Sequence, residues 1–324
     1  MFEAMSSNMG IGAASGIGST LGIVLVSRRG FARFTLVALL ASGAACGRTA
    51  SDRSSTTLDE GQRRRAAMAS VVGVVHLQGG EVDASCTGVL VATNLVLTAR
   101  HCVSNVVVET LSCDALGSAR SGGEATADRE ASSLGVVSAR ASVRREASLA
   151  IVAHGEAILH PETPTLCNGD IALVVLDRDL TGHSIAPLGL EAAPTAGDRV
   201  AIVIHGGEAV VSRPILAVGP ARRALGGRLV EVASNEFLLG EGVCAGDSGG
   251  PAIDVASGTV VGVATRGGNG YVPRDATPSE QAKACADFEA GGNSYEAANV
   301  FTRVDAFRGF LLRGLAVAGA RDHR

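Results

Sequence analysis

The chain has 324 residues, enough for one large domain or two medium ones, and its hydrophobic fraction of 46% supports a sizeable core. Aromatics make up only 3% and Trp is absent, so that core is built from Val, Leu, Ile and Ala, while 42 Gly and 9 Pro favour the many turns of an all-β protein. The net charge of −4, with Lys283 the only lysine, gives no cationic field for a phosphate backbone and argues against nucleic acid as a partner.

Residues 10–20, GIGAASGIGST, imitate a dinucleotide-binding glycine loop. No buried strand precedes them, so they carry no cofactor site; they read as an extended leader, or as sequence upstream of a misassigned start. Residues 28–46 place Arg28, Arg29 and Arg33 before an apolar run and then small residues before Cys46. That order predicts a secretory signal, too short for a comfortable membrane span. SGAA before Cys46 resembles a bacterial lipoprotein cleavage box, with Gly43 where that box usually carries Leu. Residues 1–46 are therefore expected to be a leader that lipidates Cys46, the alternative being a plain cleaved signal with an incidental cysteine. Residues 47–69 are polar and lack apolar periodicity, as in a tether or propeptide.

From residue 70 the texture changes to short β-branched runs: SVVGVVHL (70–77), TGVLVATNLVLTA (87–99), DIALVVL (170–176), RVAIVIHG (199–206), RLVEVA (228–233) and GTVVGVAT (258–265). Runs of this length and spacing predict a sandwich or barrel system rather than βαβ units. Residues 117–148 interrupt the first half as a surface insertion, and 181–198, with Pro187 and Pro194, divide the two halves. Apolar residues at helical spacing in 304–320 predict a closing helix.

The stretch GVCAGDSGGP (242–251) sets Ser248 among glycines and also satisfies G-x-S-x-G. A serine hydroxyl needs a positioned base, and the base needs a carboxylate to fix its tautomer. An α/β-hydrolase would require Ser…Asp/Glu…His, yet only His323 follows Ser248, at the penultimate position. The opposite order is well supplied: His101 lies in NLVLTARHCV and Asp170 in CNGDIALVVL.

These segments resemble the trypsin/chymotrypsin family. LTARHC differs from that family's LTAAHC only at Arg100, GDIALVVL carries its D-I-A-L strand with His160–Pro161 upstream, and GDSGGP is unchanged. NVFTRV (299–304) matches the penultimate strand, and the likeness covers about 70–313. It implies an all-β fold of two six-stranded antiparallel barrels, about 70–182 and 196–304, with a helix at about 304–318, in a domain of 70–320. Ser248 would attack the scissile carbonyl, His101 would act as base and then acid, and Asp170 would hold the imidazole. The N–H groups of Gly246 and Ser248 would form the oxyanion hole. His154, His183 and His205 have no such context and read as surface or turn histidines.

The resemblance also pairs Cys86 with Cys102 and Cys244 with Cys285. Cys113 and Cys167 remain, flanking the insertion, and a bridge between them is expected; Cys46 is left over for lipid. Gly242, at the base of the specificity pocket, offers no carboxylate to Arg or Lys, so cleavage should not be trypsin-like. Gly267 and Asn299 would wall a shortened, partly polar pocket for small or medium side chains. Thr265-Arg266-Gly267 stands for the substrate-pairing strand. There Thr265 can support Asp170, and Arg266 either draws acidic substrates or is a solvated surface arginine. Activation is expected to differ from the family's. VVGV (71–74) lies too close to Cys86 for a new amino terminus, and a cut at Arg63–Arg65 would expose Ala66, so Asp247 needs another cation or the chain is a latent zymogen.

The expectation is an exported, monomeric serine endopeptidase, secreted or lipid-anchored in the cell envelope. It would use no metal or organic cofactor and act on protein or peptide. The alternatives are a catalytically silent or latent binding protein on the same fold, and an α/β-hydrolase dependent on His323.

Overall fold

A computed structural model describes residues 60–107, 111–138, 150–163, 165–204, 209–225, 228–240, 242–243, 246–267 and 298–320. The leader with Cys46, residues 47–59, and Cys244 and Cys285 lie outside the described residues.

The first half contains α1 (Glu60–Ala69), β1 (Val71–Gln78), β2 (Glu81–Ala92), β3 (Leu95–Thr98) and the single turn α2 (Arg100–Val103). Four short strands follow, β4 (Ser104–Val107), β5 (Ser112–Cys113), β6 (Ala119–Ser121) and β7 (Glu124–Asp128), then β8 (Leu134–Ser138), β9 (Ala153–Leu159) and β10 (Ala172–Leu176). The second half has β11 (Arg199–Ile204), β12 (Ala209–Pro214), β13 (Ala217–Val218), β14 (Ala221–Leu225) and β15 (Arg228–Val232). It ends with β16 (Glu236–Leu239), β17 (Pro251–Asp254), β18 (Val260–Gly267), β19 (Asn299–Arg303) and α3 (Arg308–Gly319).

Strands β1-β2-β3-β10-β9-β8 close into an antiparallel barrel, the six strands that the first half leads one to expect. Its apolar runs fill the interior: Val72, Val74, Leu90, Leu97, Leu134 and Leu173 are all buried. Each large aliphatic side chain so buried contributes about 1.5–3 kcal/mol. All five positions of β10 are buried. Such a strand reads as a continuous apolar run because both of its faces are covered, and α3 supplies one cover with Leu311 and Ala318.

The second half departs from a closed barrel. Among the described residues it is a seven-stranded sheet of order β12-β11-β17-β18-β19-β16-β13, a half-barrel, with β14-β15 as a separate hairpin. Phe237 on β16 and Phe301 on β19 are direct cross-strand partners, their rings stacked with centroids 5.3 Å apart. Such a pair contributes about 0.5–1.5 kcal/mol beyond its buried area. The dividing segment joins the halves, since the Pro187 carbonyl accepts a hydrogen bond from Val260 N at 2.8 Å.

Residues 60–69, polar by composition, are helical. Ala67 is fully buried in the first core, Ser70 Oγ donates to its carbonyl at 2.6 Å, and Arg63 Nε donates to Ser257 O at 2.8 Å. α1 therefore packs against the domain's surface instead of extending from it.

Candidate active site

His101 sits on α2, directly after β3. Arg100, the one departure from LTAAHC, is buried, and its guanidinium donates to the Thr163 carbonyl at 2.6 Å and to Thr163 Oγ1 at 3.2 Å. A cation is thus accommodated where the family motif carries alanine, through a partner on the segment leading to Asp170.

Asp170 is fully buried. Its Oδ1 accepts the His101 backbone N–H at 2.9 Å, and its Oδ2 accepts His101 Nδ1–H at 2.7 Å together with the Thr265 hydroxyl. Burial opposes the imidazolium, but the Asp170 charge and hydrogen bond outweigh it and raise the His101 pKa. For Asp170, burial is likewise outweighed, by the charge of His101 and by hydrogen bonds from His101 and Thr265, and its pKa is lowered. The result is an imidazole held by Nδ1, with Nε2 left for another partner.

Ser248 lies in the turn before β17 and is partly exposed, whereas Asp247 is buried. The turn is pinned from both halves. Thr87 of β2 donates its N–H to Ser248 O and its hydroxyl to Gly246 O, each at 2.8 Å, and Gly249 N donates to Ala264 O of β18 at 2.8 Å. Gly249 has φ of 82°, and a Cβ there would overlap Thr98 Oγ1 and the Thr87 carbonyl, so only glycine fits. Gly246, at φ 95°, makes the matching left-handed bend. The Ser248 carbonyl also lies 3.7 Å from Cys102 Sγ, which places the turn beside the residue next to His101. Among the described residues, no hydrogen bond joins Ser248 Oγ to the His101 imidazole.

Two disulfides flank this cluster: Cys86–Cys102, with Cα atoms 6.0 Å apart, and Cys113–Cys167, with Cα atoms 5.6 Å apart. The first adjoins His101; the second ends three residues before Asp170 and ties the β5–β6 hairpin to that loop. The Cys244–Cys285 pairing lies outside the described residues. Cys86, Cys102 and His101 have ligand-like spacing, but two of the three are joined as a disulfide and offer no thiolate to a metal.

The expected pocket residues fall into two groups. Gly242 is buried beside Ile202, and Gly267 pairs with Asn299 across β18 and β19. The buried Asn299 amide donates to Gly240 O at 2.6 Å, while among the described residues its Oδ1 has no hydrogen-bond partner. Arg266 differs from either expectation for it. Its side chain is only 12% exposed and grips Glu236 bidentately, with Nη1 on Oε1 and Nη2 on Oε2 at 2.6 Å, so it is neither a solvated arginine nor a free charge for acidic substrates. Glu236 is the residue that sequence reasoning missed; its signal was an acidic side chain opening the apolar run EFLL, buried at all four positions.

No curated protein matches the chain. Among solved structures, an inactivated protease paralogue of the scabies mite, SMIPP-S-I1, is similar at 18% identity and a TM-score of 0.45, covering 80% of this chain and 97% of that one. The serine endoprotease from Yersinia pestis is similar at 16% identity and a TM-score of 0.38, covering 64% of this chain and 57% of that one. The family model for trypsin matches residues 60–284, and the chain belongs to the trypsin family of serine-protease folds.

Proposed function

We propose that the chain is a serine endopeptidase that works through His101, Asp170 and Ser248. The observation that carries this reading is the buried Asp170 carboxylate, which holds His101 by Nδ1 and makes it more basic. Ser248 Oγ attacks the scissile carbonyl carbon as its proton passes to His101 Nε2. The oxygen, now anionic, takes the N–H groups of Gly246 and Ser248. His101 returns the proton to the leaving amine as the C–N bond breaks, and an acyl-Ser248 remains. Water, deprotonated by His101, then releases the acid and restores the serine. With Gly242 at the pocket base and Asn299 Oδ1 an acceptor without a partner among the described residues, the preferred side chain is small or medium and uncharged. The two described disulfides suit an oxidising compartment, in keeping with export and a lipid on Cys46.

The second reading, a silent binding protein on the same fold, is favoured only by the missing hydrogen bond from Ser248 Oγ to His101. Catalytic hydrogen bonds are often unformed before substrate binds. Labelling the purified protein with a fluorophosphonate decides between the two. Stoichiometric labelling lost in Ser248→Ala and His101→Ala supports the peptidase, whereas an unlabelled wild type, even after limited proteolysis near 63–70, overturns it. Labelling that survives His101→Ala would point to His323 instead.

A further inference from the structure

Glu236 is a fully buried carboxylate that acyl transfer does not use. Four donors converge on it. Arg266 supplies two, Ala233 N–H reaches Oε2 at 2.9 Å, and Asn168 N–H reaches Oε1 at 3.3 Å. Glu236 and Ala233 belong to the second half, but Asn168 stands two residues before Asp170, on the loop leading into β10 of the first barrel. Beside this contact, Asn168 Oδ1 accepts Asn235 N–H at 2.5 Å and Asn235 Nδ2 donates to Asn168 O at 3.1 Å.

Asn168 is the only non-glycine residue with positive φ, 63°, among the described residues. Asparagine tolerates that conformation better than most side chains, but it still needs support. The support here comes from Asn235 and Glu236, across the gap between the halves. The other arm runs through Arg266, next in sequence to Thr265, whose hydroxyl donates to Asp170. Both segments that place Asp170 therefore meet on one carboxylate.

We propose that Glu236 is a positioning residue: with Arg266 it fastens the Asn168–Asp170 loop to β16 and β18 and so holds Asp170 against His101. This rests on the reading of His101, Asp170 and Ser248 as a working triad. A buried ion pair is poor evidence for stability, because apolar replacements of similar volume are often as stable. What this pair supplies is a planar, bidentate geometry with its lone pairs answered. Glu231 does not compete for the pair. Only its carbonyl accepts Arg266 Nη2, at 3.4 Å, while its carboxylate meets Arg120 and Arg222, each at 2.7 Å. Among the described residues, the charged group against the His101 ring is Asp170.

The test compares the wild type with Glu236→Gln and with the double variant Glu236→Leu/Arg266→Leu, which leaves no orphaned charge. Two quantities are read in folded protein: the His101 titration by NMR, and the fluorophosphonate labelling rate as a function of pH. The expected result in both variants is a His101 midpoint that falls toward the ordinary imidazole value. Labelling should slow about 10- to 100-fold, the scale of an ångström-level misplacement of a catalytic group. If Glu236→Gln does not fold, the double variant decides. An unchanged midpoint and rate in a folded variant, whatever its melting temperature, would overturn the proposal. An unlabelled wild type would instead sink the triad reading, while the His101 titration still tests the positioning.

Discussion

Replacing Asp170 with Asn removes an acceptor from a carboxylate that three donors share: His101 N–H, His101 Nδ1–H and the Thr265 hydroxyl. The amide has one oxygen and one NH2 to set against them. With NH2 toward the backbone, two donors face each other in a fully buried site, at about 1–3 kcal/mol for the unsatisfied group. With NH2 toward the ring, Thr265 can turn to accept, but Nδ1 must become an acceptor and the proton moves to Nε2. That second orientation is favoured, and it gives an imidazole unable to take the Ser248 proton. Loss of the correct tautomer in such a triad lowers kcat by about 10⁴, or about 5.4 kcal/mol of transition-state stabilisation. The assay is the second-order rate of fluorophosphonate labelling at fixed pH, with circular dichroism to verify the fold. A folded Asp170→Asn protein labelled within about tenfold of the wild-type rate would mean that the Asp170 carboxylate does not set the His101 tautomer.

Thr265→Val, which removes one of those donors, should slow labelling by about tenfold, the scale of one hydrogen bond to a charged group, without unfolding the protein; an unchanged rate would show that the hydroxyl is dispensable. The wild-type labelling rate should rise with pH through a midpoint above the ordinary imidazole value, because Asp170 raises the His101 pKa. By linkage, the His101 contribution to stability is full below its unfolded pKa and fades as pH rises through its folded one, whereas that of Asp170 is present above the ordinary carboxylate range and lost on acidification through its lowered pKa, a pattern that chemical melts across pH would read. Replacing Cys113 and Cys167 together should cost about 4 kcal/mol on the loop-closure model, given their sequence separation of 54, and a urea titration would measure it. Gly249→Ala should abolish labelling, since its Cβ meets the Thr87 backbone; a folded, labelled variant would mean that the turn can shift.

The parts of this protein that sequence made legible are those where local chemistry dictates structure. β-branched runs between turn residues marked most of the long strands, and LTARHC and GDIALVVL carry His101 and Asp170, which the fold brings into hydrogen-bond contact, with the GDSGGP turn beside Cys102. What stayed hidden depends on contacts between distant segments. Arg266 read as a surface cation because Glu236, 30 positions upstream, meets it only when β16 and β18 are arranged around β19. Asn168, followed by Gly169, is a residue type suited to a left-handed turn, but its partners Asn235 and Glu236 belong to the other half and could not be read with it. The half-barrel was equally hidden, because sheet closure depends on strand order and register. In α1, three consecutive arginines masked the buried Ala67 two positions later.

That helix bears on how the chain meets processing enzymes. A protease that cuts after a basic run needs several residues in extended form, and exposed loop tips supply them far more readily than packed helices do. Arg64 and Arg65 are exposed, but they lie on a helix fastened at one side by Arg63 on Ser257 O and at the other by Ala67 in the core. Presenting this run to such an enzyme means unwinding α1 and withdrawing Ala67 from the barrel. The tribasic segment, accessible by composition, is therefore guarded by its own fold, and its cleavage becomes a measure of how often that helix opens.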